Sequence, residues 1–152
     1  FTASNGDFSI LLPKKDWHIS EDIVDSDELL YVMESGSTDY TNGNFSILSI
    51  SKSTVSNGTM DTEFDLIVKD LLKQNRKLSL IEMSTMKVGK IEATTAHIET
   101  MHKGEISQEE ILIFIPFGQN QYYSFTLVSN KNEQLETNFG MMLECVRSFK
   151  IL

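Results

Sequence analysis

The sequence predicts an α+β fold in which two helices cover the two faces of a mainly antiparallel sheet. Two apolar runs rich in β-branched and aromatic residues, Ile111–Phe117 and Tyr122–Val128, flank the short segment Gly118–Gln121. This pattern is typical of an antiparallel hairpin. Two other segments, Asp61–Asn75 and Asn132–Phe149, carry apolar residues at helical spacing and predict the covering helices.

The hairpin is expected in the middle of the sheet. Side chains alternate between the two faces of a strand, so Ile111, Ile113 and Ile115 point one way, and Leu112 and Phe114 the other. Because both sets are large and apolar, each face needs a cover. One helix on each side would supply it.

The chain begins with a polar stretch followed by a strand. Residues 1–7 are expected to be a flexible lead-in to a single domain over residues 8–152, because Thr2–Gly6 is small and polar. Phe8, Ile10 and Leu12 then alternate as the core face of a strand, which is expected to end at Pro13 because proline cannot donate to a ladder. Trp17 is expected to anchor the exit of this strand against the core.

An acidic segment, Ser20–Glu28, separates this strand from the next and carries five carboxylates. It is expected to be a solvated loop, since it lacks the glycine that a calcium-binding loop needs at its sixth position. Two further strands, Leu29–Glu34 and Phe45–Ser51, follow on either side of a turn at Asn42-Gly43. They predict an antiparallel meander.

The first helix is predicted to begin with Asp61 as its N-cap. The second helix contains Gly140, which costs up to about 1 kcal/mol relative to alanine, and close packing against a strand would explain it. The apolar stripes of the two helices are Phe64, Ile67, Val68, Leu71 and Leu72 in the first, and Leu135, Phe139, Met142, Cys145, Val146 and Phe149 in the second.

Between the helices, Leu78–Val88 and Ile91–His102 predict two strands near a sheet edge, joined at Gly89-Lys90. Lys103–Gln108 is expected to turn the chain into the central hairpin. His97 and Glu99 share a face of the second strand with Met101, while His102 lies on the opposite face. Two histidines on opposite faces do not converge on one ion, so His97 is interpreted as a surface or hydrogen-bonded histidine and no metal site is predicted.

Composition narrows the function classes. The net charge is −9, from 22 acidic and 13 basic residues, so the chain repels phosphate backbones and no nucleic-acid partner is expected. The single cysteine, Cys145, excludes an intrachain disulfide and is expected to pack as a small apolar side chain. The sequence contains neither a nucleophile elbow, nor a phosphate loop, a dinucleotide fingerprint or a zinc-protease helix. We therefore predict no catalytic residues, no cofactor and no enzymatic activity.

The opening phrase, Gly6–Trp17, resembles the start of PsbP-like domains, where a Phe-x-Ile-x-x-Pro-x-x-Trp pattern forms the first strand and its exit. The segments Val88–Ala93, Tyr122–Leu127 and Val146–Phe149 are similar to that family in kind and order, so the likeness spans the whole chain. The resemblance implies a three-layer α/β/α sandwich with an antiparallel sheet. Its known relatives include an extrinsic photosystem subunit, a Ran-binding nuclear import factor, bacterial secretion chaperones and secreted or lipid-anchored bacterial proteins, so it implies no single function.

These observations favour a non-catalytic, extracytoplasmic bacterial domain that binds a protein or a cell-envelope component. The chain starts without methionine, which would fit removal of an export signal or an upstream lipid anchor, the only membrane attachment expected. One alternative is an intracellular binding protein or secretion chaperone of the same fold. Another is an unrecognised hydrolase using carboxylates or His97, and a homodimer through a sheet face or edge is compatible with the two binding hypotheses. The binding residues are not predicted.

Overall fold

The computed structural model describes residues 1–3, 7–12, 17–19, 28–34, 45–130 and 135–152, and only the backbone of residues 18 and 28–34. The predictions for Pro13, for the acidic loop before Glu28, for Asn42-Gly43 and for the start of the second helix lie outside these residues. The elements are Phe8–Ser9 (β1), Trp17–Ile19 (β2), Glu28–Glu34 (β3), Ser46–Thr54 (β4), Met60–Gln74 (α1), Leu78–Val88 (β5), Ile91–His102 (β6), Glu105–Phe117 (β7), Gln121–Asn130 (β8), Leu135–Arg147 (α2) and Lys150–Ile151 (β9).

Seven strands form one antiparallel sheet in the order β2-β3-β4-β8-β7-β6-β5. The predicted central hairpin is confirmed as β7 and β8, which pair from Gln108 with Asn130 to Phe117 with Gln121. The meander of β2, β3 and β4 and the hairpin of β5 and β6 extend the sheet on either side. The antiparallel α+β fold predicted from the sequence is therefore confirmed.

The two helices cover opposite faces of this sheet. On one face, Phe64 and Val68 of α1 pack with Leu112 and Phe114 of β7. On the other face lies the larger cluster, which α2 covers. It contains Ile113 and Ile115 of β7, and Ile111 and Trp17 pack at its border. The residues that β8 and α2 contribute are Tyr123, Phe125, Leu127, Leu135, Phe139, Met142, Cys145 and Val146.

The first strand lies outside the main sheet, which the sequence did not predict. Phe8 and Ser9 pair with Ile151 and Lys150 in a separate two-stranded ladder. Phe8 and Ile10 are buried as expected. The chain start also bonds to this region, because the amino terminus of Phe1 donates to the Ile10 carbonyl oxygen at 2.9 Å.

Three local predictions need correction. Helix α1 is capped by Thr59 and not by Asp61, because Thr59 and Thr62 exchange side-chain and backbone hydrogen bonds in a capping box. The turn before β7 is confined to Lys103-Gly104, both at positive φ, so Glu105 already belongs to the strand. Gly140 is exposed and a Cβ there would meet nothing within 4 Å, so close packing does not explain it.

Candidate functional site

A concave surface lies between the segment that follows β1 and the outer side of α2. Its volume is about 710 Å³. We call it the α2 groove. Its lining is mostly apolar at the centre, with an ion pair between Glu144 and Arg147 at the rim. The lining residues are Leu11, Leu12, Thr137, Gly140, Met141, Glu144, Cys145, Arg147 and Ser148.

One wall of the α2 groove is held in place by the end of α2. The Leu11 backbone N–H donates to Ser148 Oγ at 2.8 Å, and the Ser148 hydroxyl donates to the Cys145 carbonyl oxygen at 2.6 Å. The segment after β1 is thereby fixed beside the helix end. Leu11 itself points outward, with 72% of its surface exposed, between the buried Ile10 and the half-buried Leu12. A large apolar side chain is thus presented to solvent at the groove.

The floor of the α2 groove contains Gly140. An exposed glycine in the middle of a helix costs about 1 kcal/mol relative to alanine. Nothing lies within 4 Å of a Cβ built at Gly140, so packing within the described residues does not offset that cost. Because Gly140 has no side chain, it leaves space in the α2 groove between Thr137 and Met141. The sequence marked Gly140 as unusual but assigned it to the wrong side of the helix.

Cys145 lies at the bottom of the same groove, but it does not offer a reactive thiol. It is 4% exposed, and burial raises the pKa of its thiol to about 11, with the Glu144 carboxylate adding to the shift. The nucleophilic thiolate is therefore scarce at neutral pH. This agrees with the prediction that Cys145 packs as an apolar side chain.

A smaller cavity of about 350 Å³ adjoins the α2 groove. The two cavities share Leu11 and Ser148, and the smaller one continues past Ile10 to the chain start at Phe1. The sequence did not identify either cavity, because each joins the first twelve residues to the last sixteen. The local signals were Gly140 and Leu11, a large apolar residue on the non-core side of the predicted strand.

His97 lies elsewhere, on the sheet face that α2 covers. Its Nε2 is 3.0 Å from Oε2 of Glu109, and His97, Glu99 and Glu109 offer nitrogen and oxygen atoms that all lie within 4.8 Å of one another. The prediction of a hydrogen-bonded His97 sharing a face with Glu99 is confirmed. Neither cavity described above is lined by these three residues.

Comparison with solved structures identifies the architecture. The solution structure of cyanobacterial PsbP (CyanoP) from Synechocystis sp. PCC 6803 aligns with 100% of this chain and 91% of its own, at a TM-score of 0.64 and 13% identity. The chain has a PsbP-like fold. The PsbP-like sandwich is therefore confirmed, although no protein-family model and no curated protein matches the sequence.

Two further structures share the PsbP-like fold. LpqN of Mycobacterium tuberculosis, described as involved in cell envelope biogenesis, has a TM-score of 0.63 at 12% identity, covering 95% of this chain and 82% of its own. The Ran-binding protein Mog1p of Saccharomyces cerevisiae has a TM-score of 0.63 at 12% identity, and the alignment covers 99% of this chain and 93% of Mog1p. At these identities the likeness shows the fold alone. No helix among the described residues is long and apolar enough to span a bilayer.

Proposed function

We propose that this domain is a non-catalytic binding module of the bacterial cell envelope, acting outside the cytoplasm, and that it holds a protein segment in the α2 groove. The observation that carries the proposal is the groove itself. Its lining includes the exposed Leu11 and the half-buried Met141, and Gly140 leaves space between the side chains of the lining. An exposed apolar surface rimmed by charged residues is typical of an interaction site.

The groove chemistry supports binding and not turnover. Catalysis by proton transfer or covalent attack needs a titratable or nucleophilic group poised in the cleft. The ionisable groups of the lining are Glu144 and Arg147, which pair with each other at the rim, and the high-pKa thiol of Cys145. None of these is arranged as a nucleophile beside a base.

The shared fold supports both the partner class and the compartment. Mog1p is named as a Ran-binding protein, so a PsbP-like sandwich can serve protein recognition. LpqN is named for a role in the cell envelope, which supports the envelope location. The net charge of −9 favours a partner segment that is basic as well as apolar, since opposite charge speeds encounter.

Site-specific photocrosslinking in the cell that produces the protein tests this proposal. A photoreactive residue is placed at Met141, in the groove, and at Glu136, which is exposed on the same helix outside the groove lining. We expect a discrete protein adduct from position 141 in the envelope fraction and none from position 136. Adding Gly140→Trp, which fills the groove floor, should remove the adduct.

The results also separate the alternatives. Adducts of equal yield from positions 136 and 141, or no adduct at either, would refute the groove as the binding surface. An adduct from position 141 found only in the cytoplasmic fraction would favour the intracellular binding protein or chaperone. Glu136→Trp is the matched control for Gly140→Trp, because it adds the same bulk to an exposed position of α2.

A further inference from the structure

A cluster of three ionisable side chains joins β6 to β7 away from the α2 groove. His97 and Glu99 are two residues apart on β6 and therefore face the same way. Glu109 on β7 is the direct partner of Glu99 and the diagonal neighbour of His97. Diagonal neighbours on antiparallel strands are within reach of long side chains. The strand register thus brings together one imidazole and two carboxylates.

The three side chains are partly enclosed but still reachable. The side chains of His97 and Glu109 are 31% and 17% exposed, and Glu99 is half-buried. An ion approaching from solvent could therefore contact the donors without a large rearrangement. Partial burial also limits screening by water, so the electrostatic interaction with a cation would be stronger than on an open surface.

The charge balance of this cluster is unfavourable without a cation. Like charges directly opposite each other on paired strands are destabilising. Glu99 and Glu109 occupy such positions, and among the ion pairs of the described residues only His97 contacts either of them. Glu99 itself takes part in none of the ion pairs formed by described side chains. A bound divalent cation would remove this repulsion.

We propose that His97, Glu99 and Glu109 form a binding site for a zinc-class divalent metal ion. Imidazole nitrogen and carboxylate oxygen are ordinary Zn²⁺ ligands at about 2.0–2.2 Å, which separates the donors of a tetrahedral site by about 3.4 Å. The His97 and Glu109 donors are already 3.0 Å apart, and all three lie within 4.8 Å. Small side-chain rotations would close the set around one ion and leave the fourth position to water or another ligand.

Titration calorimetry of the whole chain with Zn²⁺ alone, after treatment with a chelator, tests the site. We expect one ion per chain, and Mg²⁺ at the same concentration should give no binding, since Mg²⁺ requires oxygen ligands in octahedral geometry. His97→Gln and Glu99→Gln should each raise the Kd for Zn²⁺ at least about tenfold. His102→Gln and Glu92→Gln are matched controls on the same strand, at exposed positions outside the cluster, and should leave the Kd unchanged.

Thermal unfolding provides a second test, because the difference in melting temperature between Glu99→Gln and the wild type should have opposite signs without metal and with Zn²⁺. Without metal, Glu99→Gln should melt higher than the wild type because it removes the like-charge pair. With excess Zn²⁺, only the chain with all three ligands should gain stability, so the order reverses. The proposal would be overturned if the chain does not bind Zn²⁺, or if His102→Gln and His97→Gln lose the same affinity for Zn²⁺. It would also be overturned if Zn²⁺ still raises the melting temperature of Glu99→Gln.

Discussion

At the scale of single residues, Glu110 is an ionisable residue among apolar neighbours in the central strand β7. It pairs with Ile98 on β6 and Val128 on β8, and its side chain faces the side of the sheet that α1 covers. Burial raises the pKa of its carboxyl above the ordinary value of 4.5. None of the ion pairs among the described residues includes it. Folding therefore favours its protonated form.

This environment predicts a pH-dependent stability. The folded chain retains the Glu110 proton to a higher pH than the unfolded chain, so this group lowers the free energy of unfolding as pH rises above about 4.5. Glu110→Gln, which has no charge to desolvate, should gain stability relative to the wild type between about pH 4 and pH 7. Urea unfolding at both pH values measures the difference. Glu105→Gln, exposed on the same strand, should show no such trend; equal behaviour of the two variants would contradict the prediction.

The N-cap of α1 shows that the sequence offers candidate capping residues but does not select between them. Asp61 was a reasonable N-cap candidate because aspartate is among the preferred residues at that position. The capping box of Thr59 and Thr62 prevails because both side chains satisfy backbone N–H groups at once. Gly58, at positive φ, sets the chain direction just before it. Such a choice depends on backbone angles, which the sequence restricts but does not determine.

At the scale of elements, the aromatic contact between β7 and α1 attaches the helix to the sheet. Phe114 is 4% exposed, stacks on Tyr122 with ring centroids 4.4 Å apart and meets Phe64 edge-on at 4.8 Å. Aromatic pairs of this kind contribute about 0.5–1.5 kcal/mol beyond the buried area. A single residue of the central strand therefore carries much of the packing on the α1 side.

Removing this ring should be costly. Phe114→Ala is expected to lower the free energy of unfolding by about 3–5 kcal/mol, the usual loss for a buried phenylalanine. Urea titration followed by circular dichroism measures it. Ile81→Ala, at a position 50% exposed on β5, should change stability by less than about 0.5 kcal/mol. A loss below about 1 kcal/mol for Phe114→Ala would show that the α1 side of the sheet repacks without it.

Elements formed by local contacts were the most predictable. The bounds of β5 and β6 match the prediction residue for residue, because both strands meet at the two-residue turn Gly89-Lys90. The pairing of β1 with β9 was not predictable, since Phe8 and Ile151 lie at opposite ends of the chain. A two-residue ladder has too few residues for a periodic signal. Its location depends on where the rest of the fold brings the two ends.

At the scale of the whole molecule, the two candidate sites differ in how far apart their residues lie in the sequence, because the α2 groove joins both ends of the chain and the His97 cluster lies within the β6–β7 hairpin. Sequence alternation put His97 and Glu99 on one face, but only the β6–β7 register adds Glu109 to them. The α2 groove joins Leu11 to the last helix through the hydrogen bond to Ser148. The helix stripes and the central hairpin could be predicted because apolar periodicity is local. The α2 groove could not, because it depends on residues from both ends of the chain. The position of Glu109 beside Glu99 could not, because the predicted turn over Lys103–Gln108 was longer than the observed Lys103-Gly104 turn and left the β6–β7 register open.

The sheet order also predicts how stability is distributed. Strands β7 and β8 are hydrogen-bonded on both sides and covered on both faces, whereas β5 is an edge strand exposed along most of its length. Amides in buried, doubly paired strands exchange only through global unfolding, while those at an edge exchange through smaller openings. We therefore expect the slowest native-state amide exchange, followed by NMR, at Ile113–Ile115 and Tyr123–Leu127, and exchange faster by orders of magnitude at Ser79–Thr85. Equal protection of β5 and β7 would mean that the sheet opens as one unit, with no gradient from edge to centre.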